Sequence, residues 1–312
     1  MKSIVKYIGF TAGIVLLSVL CVFAQTGKNV NYFQGTPANW NPLDPKRLFV
    51  IPVADVLGSM EINTGGGTIF GVQKTEKRPF LGHIRFGLGD VAEVELSTVG
   101  IVNQLTKGSG SIPTGSFKLK LLSESRMWPS VTGALRSSLW HSEIREYNKI
   151  EYKFERRIAT LYFVASKKFF NYSIHGGICI NDMRVRTKLA HNDMLYSPTP
   201  AEAKKSDKDY YNKNILGGFA GLLVSVNPRT RLMIEVEEVA KYNFDEERPQ
   251  VTKKDISTVW LGIAGVRFFF LNWLSLDTGV MYRSDYYGIG DAQIDAGINI
   301  NTSLTEIAKK AK

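Results

Sequence analysis

The chain has 312 residues, 44% of them hydrophobic and 22% charged, with a formal net charge of +10. That apolar content excludes a disordered chain, and the scatter of lysines and arginines among acids, with no basic block, reads as a solvated surface. Of its two cysteines only Cys179 lies outside the first 24 residues, which excludes an internal disulfide framework in the remainder.

Residues 1–24 carry Lys2 and Lys6, an apolar run from Ile8 to Phe23, and Val22-Phe23-Ala24 before Gln25. A basic start, an apolar centre and a small residue at the cut describe a cleaved secretory signal peptide. Its two lysines leave a charge of +8 on the rest. A lipoprotein signal using Cys21 is the competing reading, opposed by Leu20 where a small residue is wanted. An uncleaved anchor helix is the third, opposed by the short apolar run.

Residues 25–57 are rich in Asn, Pro, Gly and aromatic residues, lack a period, and read as an irregular leader or a plug. From residue 58 onward strand signals recur to the end with no amphipathic helix between them. About twelve strands are predicted, at 59–72, 81–89, 91–104, 116–124, 131–140, 158–170, 172–186, 214–226, 230–244, 256–269, 272–285 and 292–302. Several alternate with period two. Lys118 and Lys120 oppose Phe117, Leu119 and Leu121; Glu93 and Glu95 oppose Val94 and Leu96; Glu235 and Glu237 oppose Ile234 and Val236. In the last strand Asp295 and Asn299 oppose Ile294, Ile298 and Ile300.

The connections alternate in length. Polar loops at 73–80, 105–116, 141–157, 187–213, 245–255 and 286–290 alternate with short turns at 90, 125–130, 171, 227–229 and 270–271. Transmembrane barrels sort their connections this way, short on the periplasmic side and long outside. Aromatic residues gather where strands would cross an interface: Trp140, Phe169, Phe170, Tyr172, 268–270, Trp273, Tyr282, Tyr286 and Tyr287. Three features resist the pattern. Strand 256–269 has apolar residues on both faces, Met183 and Val185 fall out of phase with 174–180, and a lysine-rich tail follows residue 303.

The chemistry of catalysis is sparse. Four histidines lack zinc-ligand spacing, Gly65–Gly67 lacks the rest of a phosphate loop, and no G-x-S-x-G elbow is present. His141 and Ser142 are neighbours on a strand and point to opposite faces. No enzyme, metal or cofactor is therefore expected.

In a barrel the polar face must turn inward, because Arg or Lys facing lipid near the midplane costs about 2–4 kcal/mol. The lumen would then be lined by Arg85, Glu93, Glu95, Lys118, Lys120, Arg136, Lys167, Glu235, Glu237, Asp277, Arg283 and Asp295, with Glu61 and His83 beside them. A charge-lined pore and a lumen filled by paired charges both satisfy that facing.

Four short runs have a familiar order: G-D-V-A-E-V-E at 89–95, P-S-V-T-G-A-L-R at 129–136, F-V-A-S-K-K at 163–168 and L-M-I-E-V-E at 232–237. They resemble the YjbH-like outer-membrane barrels associated with exopolysaccharide export. The resemblance implies an exported envelope barrel linked to polysaccharide secretion and transfers no catalytic residue. The long charged loop and the lysine-rich tail have no counterpart in it.

The sequence thus predicts an all-β protein, an antiparallel transmembrane β-barrel of about twelve strands. A signal peptide (1–24), an irregular leader or plug (25–57), the barrel (58–303) and a charged tail (304–312) follow one another. The expected setting is the outer membrane of a Gram-negative-type bacterium, with membrane lipid, lipopolysaccharide and envelope export machinery as partners and no nucleic acid. A channel for polar or anionic solutes or polysaccharide, and a non-conducting structural or adhesion barrel acting through its external loops, are the two functional expectations.

Overall fold

The structure, a computed structural model, describes residues 42–71, 80–98, 113–147, 150–189, 210–242 and 256–304. The expected signal peptide, the first part of the leader, most of the 187–213 loop and the end of the charged tail lie outside these residues.

Thirteen strand segments form one antiparallel sheet: β1 (Glu61–Gly71), β2 (Phe80–Leu88), β3 (Ala92–Ser97), β4 (Thr114–Leu122), β5 (Ser130–Ser138), β6 (His141–Tyr147), β7 (Ile150–Lys168), β8 (Tyr172–Leu189), β9 (Tyr210–Asn227), β10 (Thr230–Tyr242), β11 (Ile256–Leu271), β12 (Leu274–Arg283) and β13 (Gln293–Ser303). Each pairs with its sequence neighbour, and β1 pairs with β13 from Glu61↔Ser303 to Gly71↔Gln293, closing the ring. β5 and β6 both run along β7, β5 from Ser130↔Ser166 and β6 from His141↔Arg156. They are two parts of one strand interrupted at Leu139 and Trp140, so the barrel has twelve strands.

Two-residue alternation decides which face each side chain takes. Ile84, Val94, Leu96, Phe117, Leu135, Phe163, Ile174, Ile178, Val280, Ile294 and Ile298 are exposed on the outside, while Asn63, Arg85, Glu93, Lys118, Thr132, Glu235, Arg267 and Asn299 are buried inside. A polar interior within an apolar shell is the reverse of a soluble domain. It suits lipid, where a closed ring leaves no strand edge without a partner. The chain is a β-barrel of the outer-membrane type.

Rings cluster at both rims of the shell. Phe169 stacks on Tyr172 with centroids 4.6 Å apart, and Phe268 meets Phe270 edge-on at 4.9 Å. At the other rim Tyr282 meets Tyr286 at 5.6 Å. Phe269 departs from the predicted aromatic group, because it points inward, 1% exposed, under the Arg231 guanidinium. The short turns all lie at one end. The turn at Gly89 and Asp90 has φ of +66° and +60°, a left-handed pair that matches the twist of a hairpin.

The predicted loop at 141–157 is instead a hairpin, since β6, β7, β8 and β9 continue beyond the belt of exposed apolar residues. Outside the bilayer neither face need be apolar, so the outer face there carries Asp182 and Arg184, an ion pair at 2.6 Å. This also accounts for Met183 and Val185. β8 runs in unbroken register from Ser173 to Leu189, and both residues face inward with 0% exposure.

At this long-loop end the sheet splits. β9–β10 pairing stops at Phe219↔Glu237, although β8–β9 continues to Arg186↔Tyr210 and β10–β11 to Tyr242↔Ile256. An inward-pointing Cβ on Gly217 would lie 3.1 Å from the Glu238 carbonyl oxygen, so β10 passes on the inner side of β9. Ala240 and Ile256 share the outward face of Trp260 yet are buried, packed with Ile158, Met183, Val185 and Ile215. The β10–β11 tip is therefore folded inward against the inner face of β7–β9, and Lys213 Nζ donates to the Ile256 carbonyl at 2.7 Å.

The facing gives a direct test. Ile298→Arg, at the middle of the lipid face, is expected to destabilise the barrel by about 2–4 kcal/mol in denaturant refolding into lipid vesicles. Ile289→Arg, in the connection beyond β12, should leave stability unchanged.

Candidate functional site

The inward wall is built of charges that pair across strands. On one side Arg85 and Lys118 both reach Glu93, each at 3.4 Å, and Arg136 lies 3.9 Å from Glu95. On the other side Arg267 grips Asp277 with two bonds, Nε–Oδ1 at 2.7 Å and Nη2–Oδ2 at 2.8 Å. Asn299 donates to the same carboxylate at 3.0 Å. The cause is register: Glu93 stands opposite Lys118, Arg85 opposite Glu95, and Arg267 opposite Asp277. Near the long-loop mouth Asp285 accepts from Arg283 and from Lys241 at 2.7 and 2.5 Å.

Residues 42–58 fill the lumen from the short-turn end. The Leu43 amide donates to Asn272 at 2.8 Å, and the Ser59 amide to Asp90 at 2.9 Å, so the segment enters and leaves by the same mouth. Between those points Leu48, Ile51 and Ala54 reach 0% exposure. A bridge between Arg47 and Pro52 closes a turn, and the turn's amides converge on Glu235. Phe49 donates to its carboxylate at 3.0 Å, Val50 at 2.9 Å and Ile51 at 3.4 Å. Successive N–H groups aimed at one carboxylate form an anion-binding concavity.

The other plug contacts are similar in kind. Arg85 donates to the carbonyls of Pro45 and Lys46, Arg267 to those of Arg47 and Leu48, and Lys118 to those of Val53 and Asp55. The Leu57 amide donates to Glu93 at 3.1 Å and the Ala54 amide to Ser166 Oγ at 2.8 Å. Ser166 in turn meets His175 Nδ1 at 2.7 Å, whose Nε2 meets Ser173 at 2.8 Å. Arg47 can only donate to His83 Nδ1, at 3.1 Å. His83 therefore carries its proton on Nε2 and donates to Asn63 at 2.9 Å. Glycines seat the apolar side chains: a Cβ at Gly265 or Gly279 would lie 2.8 or 2.9 Å from Phe49 Cζ, and one at Gly221 would overlap Leu48 Cδ1.

Eleven of the twelve predicted lining residues face the lumen. Arg85, Glu93, Lys118, Glu235, Glu237, Asp277 and Arg283 are buried there; Glu95, Lys120, Arg136 and Asp295 are partly so. Lys167 does not line it. It stands opposite Ile174, on the outward face, and its Nζ donates to the carbonyls of Ser125 and Arg126 beneath the barrel rim. The residues missed by sequence reasoning include Arg267, Ser166, Asn63 and the plug's own Arg47. Arg267 was detectable as the lone cation of its strand, placed across a tight turn from Asp277. β11 defied alternation because Val259, Leu261 and Ile263 face inward and join the apolar cluster around Leu48, Phe49 and Ile51.

Little space remains beside the plug. One cavity of about 30 Å³ lies among Arg47, His83, Asp277 and Asp295, and another of about 20 Å³ among Arg85, Glu95, Lys118 and Arg136. Each has room for a water or two. Among the described residues no His, Cys, Asp and Glu cluster forms a metal centre.

No family model matches the chain, and none of the characterised proteins compared with it is significantly similar in sequence. Solved structures with a similar architecture include the translocator domain of autotransporter NalP from Neisseria meningitidis, at 13% identity and a TM-score of 0.45 over 80% of this chain and 90% of that one. NanC porin aligns at 9% identity and a TM-score of 0.42 over 77% and 98%. Outer-membrane expressed OmpT of Vibrio cholerae aligns at 9% and 0.39 over 80% and 100%. At these levels their activities are not carried to this chain.

Two tests follow from the plug geometry. Glu235→Leu strands the three turn amides, each at a cost of about 1–3 kcal/mol, and should expose residues 44–57 to limited proteolysis while the barrel keeps its heat-modifiable migration. The second concerns pH. Burial alone raises the Asp55 carboxyl, but its contact with Lys168 at 2.5 Å holds it below the ordinary carboxylate value of 3.8. A depressed carboxyl stabilises above its free value and loses that contribution as pH falls through its bound value. Asp55→Asn should therefore melt below the wild-type chain at neutral pH, and the difference should begin to shrink as pH falls below about 3.8 and vanish below the bound value.

Proposed function

We propose that the protein is an outer-membrane channel for polar, mainly anionic solutes, held shut by its own 42–58 segment. The observation that carries this reading is the chemistry of the plug interface. The plug is held by hydrogen bonds from charged wall groups as well as by the apolar cluster around Leu48, Phe49 and Ile51, and the charged groups would remain wettable once it left. A permanently filled lumen gains more from apolar packing, because a buried ion pair is often no more stable than the hydrophobic residues that could replace it. Basic residues also exceed acidic ones on the described inward face. The surplus stands at the mouths: Arg231 at the short-turn end, Arg156, Lys213 and Lys241 at the other. A net excess of one charge sign along a lumen concentrates solutes of the opposite sign.

In this reading the short-turn end is periplasmic and the β6–β9 extension faces outward. Export would use the expected signal peptide, and no catalytic step is assigned. Polysaccharide belongs among the solutes because of the YjbH-like runs, which supply Asp90, Glu93, Ser166 and Glu235 to the plug interface. The inward-folded β10–β11 tip is a second closure beyond the plug. A non-conducting barrel acting through its external extension is the second reading, favoured by how little space the plug leaves.

Planar-bilayer recording separates them. The intact chain should be nearly silent. Deleting residues 44–57, alone or with the β10–β11 tip shortened, should give discrete steps whose reversal potential in a KCl gradient favours chloride. Silence from both variants, each shown folded by heat-modifiable migration, would leave the non-conducting reading.

A further inference from the structure

The wall recognises residues 42–58 through the main chain as well as through side chains. Six main-chain amides, at Leu43, Phe49, Val50, Ile51, Ala54 and Leu57, donate to wall groups. Seven main-chain carbonyls accept from the wall: those of Leu43, Pro45, Lys46, Arg47, Leu48, Val53 and Asp55. Side chains add to this, because Leu48, Phe49, Ile51, Val53 and Ala54 join the apolar cluster of the wall. Asp44 meets Arg267, Arg47 meets His83 and Asp55 meets Lys168, while Phe49 fills the notch left by Gly265 and Gly279.

We propose that the lumen is a peptide-binding site, and that its ligand class is a polypeptide segment of roughly this length with a tight turn carrying an aromatic residue. The covalent link to β1 supplies proximity and not recognition. Two observations carry this. Binding groups for both N–H and C=O run along the segment and supply affinity through the main chain, while the apolar seats for Leu48, Phe49 and Ile51 select the side chains. The segment enters and leaves by one mouth, so a second chain can dock as a loop without threading. The link has bonds of its own, from the Gly58 and Ser59 amides to Glu61 and Asp90 and between the main chain of Met60 and those of Gly87 and Leu304. A segment from another polypeptide reaching that mouth would compete with the plug for the same donors and acceptors. The tether opposes it with an effective concentration on the order of millimolar. The proposal does not depend on whether the lumen conducts.

The test uses the full chain with a protease site inserted between Ser59 and Met60. After folding in detergent and cleavage, the segment should stay with the barrel through gel filtration. It should exchange with a fluorescent synthetic peptide of residues 42–58, competed by the unlabelled peptide. A scrambled peptide of the same composition, or one with Phe49→Asp, should bind at least tenfold more weakly. Loss of the segment on cleavage with no rebinding to a barrel still folded would overturn the proposal, as would equal competition by the scrambled peptide. If the insertion blocks folding, the intact chain with Ala54→Cys reads the same competition. Excess 42–58 peptide should speed thiol labelling at residue 54, whereas equal rates with and without the peptide would overturn it.

Discussion

The carboxylate of Glu235 accepts the amides of Phe49, Val50 and Ile51 inside a closed ring of strands, and the rest of the interior follows from the constraint it satisfies. Lipid outside forces the charged strand positions within the apolar belt inward. Once inside, each buried polar group needs a partner, because an unpaired one costs as much as a lost hydrogen bond or more. Cross-strand register meets part of that demand, as in Arg267 with Asp277. The plug meets another part, because its turn offers a convergent set of N–H groups. Charge facing and plug docking are thus two consequences of one solvent rule.

Space is the second condition. A twelve-stranded ring would have a substantial interior if each inward position held a long side chain reaching only its neighbour. The segment enters because the wall thins where it passes. Gly265 and Gly279 stand side by side on β11 and β12 under the Phe49 ring, Gly221 lies under Leu48 and Ile51, and Gly87 lies under the carbonyl of Gly58. Glycine within a strand weakens it, unless another backbone or a ring approaches closely enough to need the room. All four glycines meet that condition, and long cations flank them: Arg85, Lys118 and Arg267 each span from wall to plug.

Much of this was legible in residues. The alternation of Phe117 to Leu121 and of Ile294 to Ile300 identified two unlike faces, and the sorting of connection lengths indicated a barrel of about twelve strands. Two kinds of position were not legible. Where strands rise above the bilayer, as in H-S-E-I-R-E-Y at 141–147, lipid no longer enforces an apolar face, so the pattern of a strand dissolves into that of a loop. Where the inner face meets protein and not water, as at Leu261, Ile263 and Met183, apolar residues appear on both sides and parity fails. Lys167 failed for another reason. Its strand has an outward face that ends at the rim, where a lysine can turn toward turn carbonyls without entering lipid.

The failure at β11 is informative because it has a cause at each end of the strand. Near the short turns its apolar inward residues serve the plug cluster. Near the long loops Ile256 is apolar on the nominally outward face, since the β10–β11 tip has crossed to the inside of β9 and buries that face against Met183, Val185 and Ile215. A strand that stayed in register with β9 to its end would place Ile256 and Ala240 on the outer face and leave Met183 and Val185 without that cover. The apolar residues on both sheets therefore favour the folded tip over continuous pairing. The unpaired edges of β9 beyond Phe219 and of β10 beyond Glu237 are what that burial costs. Val239 and Val259, on the tip's other face, belong to the same cluster as Leu48 and Phe49. Plug and tip consequently belong to one apolar core.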